Sequence, residues 1–153
     1  DSVVLVSRLF TDEHLVETIS NPLYMLVVDG YSTSVEGEVA RHTQFPLHYI
    51  GMDWFLTHHV RQNHILSLEE AVRKMTSMPA SHFNLKGRGL LYEGAVADVI
   101  VFDYEHMDTP FDLRQPAQYA RGVTHVIVNG LQVLRDGEHL HTTPGINIRQ
   151  NAK

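Results

Sequence analysis

The sequence predicts an α/β chain. Three observations carry that prediction: a strand–helix–strand pattern at the start, an amphipathic helical middle, and a last third punctuated like antiparallel hairpins. Val3–Val6 is an unbroken aliphatic run, the mark of a strand buried on both faces. Thr11 stands where an N-cap belongs, with Asp12 and Glu13 in the first turn, at the positive end of the helix dipole. Leu15, Val16 and Ile19 fall on one stripe, and Asn21-Pro22 stops the helix. The run Tyr24–Val28 follows and ends abruptly in Asp29-Gly30. Two strands joined through a helix by short connections imply a right-handed parallel crossover.

Residues 31–46 are polar and irregular and read as a long surface loop, a common place for binding or lid functions. Tyr49–Asn63 sets Ile50, Trp54, Leu56 and Val60 at helix-like spacing. Ser67-Leu68-Glu69-Glu70 is a capping box, and Leu68, Ala71, Val72 and Met75 form the apolar stripe behind it. Pro79 is placed to open another short helix that ends before Gly87. Val96–Asp103, with its core Val99–Phe102, has strong strand propensity. Val123–Val128 and Leu131–Leu134 flank Asn129-Gly130, a pair suited to both positive-φ positions of a type I′ turn. Asp136-Gly137 is a further turn, and Tyr104–Gly122 is a polar, proline-punctuated loop.

Composition narrows the function classes. The 153 residues carry a formal charge of −6 and no cysteine, with 43% hydrophobic and 20% charged residues. That argues for a folded chain able to bury a core, and against a disordered or fibrous one. No basic cluster is present, so neither nucleic acid nor an anionic membrane is an expected partner. Without cysteine there is no disulfide or thiolate metal site, which fits a cytoplasmic location. The apolar runs are too short to span a bilayer. The first residue is Asp1, with no basic-then-apolar leader, as expected of numbering that begins inside a longer protein.

Asp29 is the acid of most interest. It ends a buried parallel strand, the position where barrel enzymes keep their chemistry. On the local pattern alone, a simple Asp-Gly turn is the stronger reading. Eleven histidines invite a metal hypothesis. His58 and His59 are adjacent and diverge on a helix, and His59 and His64 do not share an i, i+4 relation. His139 and His141 fall on one side of a strand and could chelate, but no acid stands at a recognised ligand spacing. Each set reads as surface or core histidines rather than ligands. Gly87-Arg88-Gly89 lacks the third glycine of a phosphate loop, and no serine nucleophile elbow occurs.

The stretch SLEEAVRKMTSMPASHFNLKGRGLLYEG at Ser67–Gly94, followed by AVADVIVFD at Ala95–Asp103, resembles the C-terminal region of the amidohydrolase superfamily. The tail Val126–Arg149, with its VNG hairpin, D-G-E-H turn and later P-G, most resembles the N-acyl-D-amino-acid deacylases, or D-aminoacylases. FTDEHLVETISNPLYMLVVDG, at Phe10–Gly30, is similar to that family's last βαβ step. The resemblance implies a terminal βαβ piece and helices of a TIM-like (β/α) barrel over 1–92, with strands of a small β-sandwich over 93–153. The catalytic barrel is incomplete, since eight strands need roughly 200 residues or more.

The same resemblance matches Asp29 to the aspartate at the end of the last barrel strand. There it binds or faces the catalytic metal, takes a proton from the metal-activated water and passes it to the leaving amine. The family usually has serine where this chain has Val28. Tyr31 and His42, in the following loop, are candidates for substrate contact. The implied cofactor is zinc in the complete enzyme, with none stably bound by this chain alone, because the family's early histidine ligands are absent. The implied partners are an N-acyl-D-amino acid substrate and the missing N-terminal barrel portion. Two alternatives stand beside this reading. One is a non-catalytic module that self-associates into a homo-oligomer to cover exposed strand edges. The other is an amidohydrolase with a cyclic-amide or deaminase substrate.

Overall fold

The computed structural model describes residues 9–30, 34–42 and 45–148. They fall into two compact units. The first holds the chain up to Leu68 together with Thr109–Tyr119; the second holds Glu69–Asp108 and the chain from Ala120 onward.

In the first unit, helix α1 spans Asp12–Ser20, and its Thr11 cap accepts a hydrogen bond from the His14 N–H at 3.3 Å. Ile19 is the buried residue of its apolar stripe. The run Tyr24–Val28 forms no ladder with any described strand, and its expected partner Val3–Val6 lies outside the described residues. Within the predicted loop a short helix, α2, forms over Glu38–His42. Arg41 and His42 both reach Glu38, at 3.3 and 3.2 Å, in exposed pairs that contribute little to stability.

The helix expected over 49–63 exists in two geometries: α3 over Leu47–Trp54, then a π-helix over Phe55–Gln62. Widening to i→i+5 bonds lets Trp54 meet both His58 and His59, four and five residues on. Their ring centroids lie 4.3 and 4.9 Å from the indole. Ile50, Phe55, Leu56 and Val60 are buried. Thr57, also buried, shares a 2.7 Å hydroxyl–hydroxyl bond with Thr109, which ties the returning segment to the π-helix.

In the second unit, α4 covers Leu68–Met75 directly after Ser67, as the capping box predicts, and α5 covers Ser77–His82. Pro79 sits in the first turn of α5, where its missing N–H is one of the orphan donors anyway. The stripe on α4 is shifted from the expected one. Ala71 is buried, but Val72 is exposed and Lys74 is fully buried, its Nζ 3.8 Å from Glu70 Oε1.

Four antiparallel strands follow in the order β1 (Val99–Phe102), β2 (Val123–Val128), β3 (Leu131–Arg135) and β4 (Glu138–His139). Both tight turns are as the sequence predicts, with positive φ at Asn129 and Gly130 and at Asp136 and Gly137. Every ladder among the described residues is antiparallel, and the parallel crossover expected near the start involves Val3–Val6, which lies outside them. No described helix is long and apolar enough to cross a membrane.

A polar clamp holds the β2–β3 turn. Arg88 Nη1 donates to Asp98 Oδ2, and its Nη2 donates to Asn129 Oδ1 at 2.6 Å. The Asn129 N–H donates to Asp98 Oδ1 at 2.8 Å, and the Asn129 amide donates to the Pro144 carbonyl at 2.7 Å. Arg88 therefore serves the turn, consistent with the absence of a phosphate loop at Gly87–Gly89.

Candidate functional site

Asp29 lies in a bend directly after the Tyr24–Val28 run, with its side chain exposed. The glycine after it is explained by close packing rather than by a turn. Gly30 is not among the residues with positive φ. A Cβ placed on it would stand 2.9 Å from His48 Nδ1 and 3.4 Å from His48 Cα, so any larger residue here would have to displace the His48 ring. One step earlier, Val28 occupies a notch made by another glycine. A Cβ on Gly51 would meet the two methyl carbons of Val28 at 2.7 and 2.9 Å.

Helix α3 places these two contacts together. Pro46 precedes it in a helical conformation, and the N–H groups of Tyr49 and Ile50 close onto the Pro46 carbonyl at 2.9 and 3.2 Å. His48 and Gly51 are three residues apart and share a face. His48 Nδ1 is shut off from solvent. Residues 28 and 30 thus rest on one face of α3, while the carboxylate between them is presented outward.

The other predicted positions are not gathered here. Tyr31 lies outside the described residues. His42 is exposed on α2 and paired with Glu38. His58 stacks on Trp54 within 16° of parallel, and its Nδ1 lies 3.1 Å from Gln62 Oε1. His59 is buried at 6% exposure, with no hydrogen-bond partner for Nδ1 among the described residues. Burial first, and then the neighbouring His58, push its pKa down to about 4, so it is a neutral ring packed among aromatics.

His139 and His141 meet edge to face at 5.1 Å, and the His141 N–H donates to His139 Nδ1 at 3.0 Å. That bond occupies one chelating nitrogen with a local backbone turn. Among the described residues no three His, Cys, Asp or Glu side chains come together to hold a metal ion. These residues do not by themselves fit a zinc centre; Asp29 supplies one exposed carboxylate between two residues that touch α3. Sequence reasoning missed His48 and Gly51. The signal for Gly51 was a lone glycine inside a helical pattern, which commonly has a packing reason; His48 carried none.

Comparison with known proteins identifies the family of the chain. The sequence model of the amidohydrolase family matches residues 38–134, a span that begins after Asp29. The N-acyl-D-glutamate deacylase of Alcaligenes xylosoxydans xylosoxydans is 40% identical over 97 residues, covering 63% of this chain and 20% of that protein. The crystal structure of a D-aminoacylase that defines a subset of amidohydrolases superposes with a TM-score of 0.57 at 33% identity. It covers 60% of this chain and 19% of its own. The N-acyl-D-glutamate deacylase of Bordetella bronchiseptica, complexed with zinc and a phosphonate mimic of the tetrahedral intermediate, superposes at 0.50 and 38% identity. It covers 52% of this chain and 17% of its own. This chain thus spans about a fifth of the length of the relatives it matches. With the family match running through well over half of its residues, the chain belongs to the amidohydrolase family and is D-aminoacylase-like.

Proposed function

We propose that this chain is the C-terminal portion of a metal-dependent amidohydrolase that cleaves the amide bond of N-acyl-D-amino acids. In this reading residues 1–92 belong to the catalytic barrel and 93–153 to a small β-sandwich. Asp29 is the proton-transferring carboxylate. The observation that carries the reading is the family match over residues 38–134, joined to deacylase relatives at 40% identity. Two further features support it: all four described strands fall after residue 92, and Asp29 is exposed at the end of its segment.

Of the described residues, Asp29 is the one that would bind or face the metal, and zinc in the complete enzyme would supply Lewis-acid activation of the attacking water. The part of this chain is narrower. A carboxylate at Asp29 accepts the proton of the attacking water as its oxygen adds to the amide carbonyl. It then returns that proton to the departing nitrogen, releasing the acyl group as a carboxylic acid and the D-amino acid as a free amine.

The test is hydrolysis of N-acetyl-D-amino acids by the protein at its natural length with zinc present, by the isolated 153 residues, and by the full-length Asp29→Asn variant. We expect activity in the first, none in the second, and a loss of roughly 100-fold or more in the third. A full-length protein without deacylase activity, or a metal-free oligomer with no longer form, would overturn the proposal.

A further inference from the structure

We infer that His48 and Gly51 form a two-point cradle that positions Asp29, with His48 as a positioning residue for its carboxylate. The inference rests on the reading of Asp29 as the proton-transferring group, and its own basis is the packing around that residue.

The chain on either side of Asp29 is gripped at two places. On one side, the branched Val28 side chain, stiff at χ1, fills the notch left by Gly51 with contacts too close for any added carbon. On the other, the Gly30 backbone lies against the His48 ring and main chain, again with no room for a Cβ. Both holds come from one short stretch of α3, whose backbone is tied to Phe45 and Pro46 by three hydrogen bonds. Asp29 forms the bend between these two holds, so fixing 28 and 30 against the helix limits how far residue 29 can move. Val28 is half-buried, and Asp29 after it is exposed. A proton-transfer group gains from such a hold, since a misplacement of about 1 Å can cost about 100-fold in rate.

The cradle makes predictions that are separable from the chemistry. In the natural-length protein, His48→Ala and Gly51→Ala should each speed amide hydrogen exchange at Asp29 and Gly30 by about tenfold or more. Amides of β2 should be unchanged. The same two variants should lower kcat about 10- to 100-fold with KM altered less than about threefold. His48→Asn, which keeps a polar group near the Nδ1 position, should recover much of both effects. Should Gly51→Ala fail to fold, Val28→Ala opens the same notch without adding atoms and should loosen the same amides.

Unaltered exchange at Asp29 and Gly30 in the His48 and Gly51 or Val28 variants would overturn the cradle, whatever the activity. So would a loss that His48→Asn fails to rescue. If Asp29→Asn keeps full activity while the cradle variants still loosen those amides, the catalytic reading of Asp29 fails and the packing claim stands.

Discussion

Lowering the pH from 7 to 5 should make the first unit easier to unfold, because His59 must then take up a proton that its surroundings reject. The ring is 6% exposed, packed against Trp54 at 4.9 Å, Phe55 at 5.9 Å and His58 at 5.0 Å. Protonation would bury a charge among apolar rings and set it beside a second imidazole. Its folded pKa of about 4 lies below the ordinary 6.5 of an unfolded histidine. Between those two values the unfolded chain binds more protons, so stability rises with pH through that window and levels off above it.

The full displacement corresponds to about 3 kcal/mol, of which about 2 kcal/mol is lost on going from pH 7 to pH 5. Burial also raises the carboxyl of Asp53, which acts in the opposite sense, and other groups titrate nearby. Comparison with His59→Leu removes them, because they contribute equally to both proteins. The assay is urea unfolding at pH 5, 6 and 7, followed by the fluorescence of Trp54, the single tryptophan of the chain. The wild-type protein should lose about 2 kcal/mol relative to the variant across that range. Parallel pH profiles for the two proteins would refute the reasoning, since His59 would then titrate alike in both states.

Arg88→Ala strips Asp98 and Asn129 of their shared partner and should destabilise the second unit by roughly 2–4 kcal/mol in thermal melts. Arg88→Lys should restore less than half, because a single ammonium cannot replace the guanidinium fork. Gly89 has φ +79°, and a Cβ there would stand 2.7 Å from Ala80 Cβ and 2.8 Å from the Thr76 carbonyl oxygen. Gly89→Ala should therefore cost about 2 kcal/mol or more by the same assay, and a neutral result would contradict this backbone path. Thr57→Val should cost about 1–2 kcal/mol by leaving Thr109 without its 2.7 Å partner, whereas the double replacement of both threonines by valine should recover most of that loss.

What the sequence disclosed was decided where one residue type has one physical use. Asn129-Gly130 and Asp136-Gly137 demand positive φ, and both turns sit where those pairs occur. Thr11 caps α1 because its side-chain oxygen meets an otherwise orphaned amide, and Ser67 stands directly before α4. The rest depended on information that spacing does not hold. Apolar periodicity over 49–63 cannot separate i→i+4 from i→i+5 bonding, so the π-helix was invisible. Residue type ranked Val72 above Lys74 for burial, yet Lys74 is the enclosed one, its ammonium facing Glu70 and its stem covered. At the candidate site, Asp29 was singled out by its position after an apolar run and by the family resemblance. Gly30 was read as a turn residue, whereas its role is to let the backbone approach His48. That contact joins residues far apart in the sequence, and no local pattern encodes it.

The same contact accounts for the main local departure from the family pattern. The resemblance leads one to expect serine immediately before the aspartate, a residue that can hold its neighbour through a hydroxyl hydrogen bond. Val28 offers no such bond. It offers two methyl groups, and the helix facing it has lost a side chain at the point where they land, so Gly51 and Val28 form one complementary unit. Neither residue is independently replaceable, since a larger residue at 51 meets the methyls and a smaller one at 28 leaves the notch empty. In the proposed reading, Asp29 is then held by the close packing of its neighbours Val28 and Gly30. A β-branched side chain with a restricted χ1 is well suited to that role. Val28 in place of the family's serine is therefore compatible with the role proposed for Asp29, provided that Gly51 and His48 stay with it.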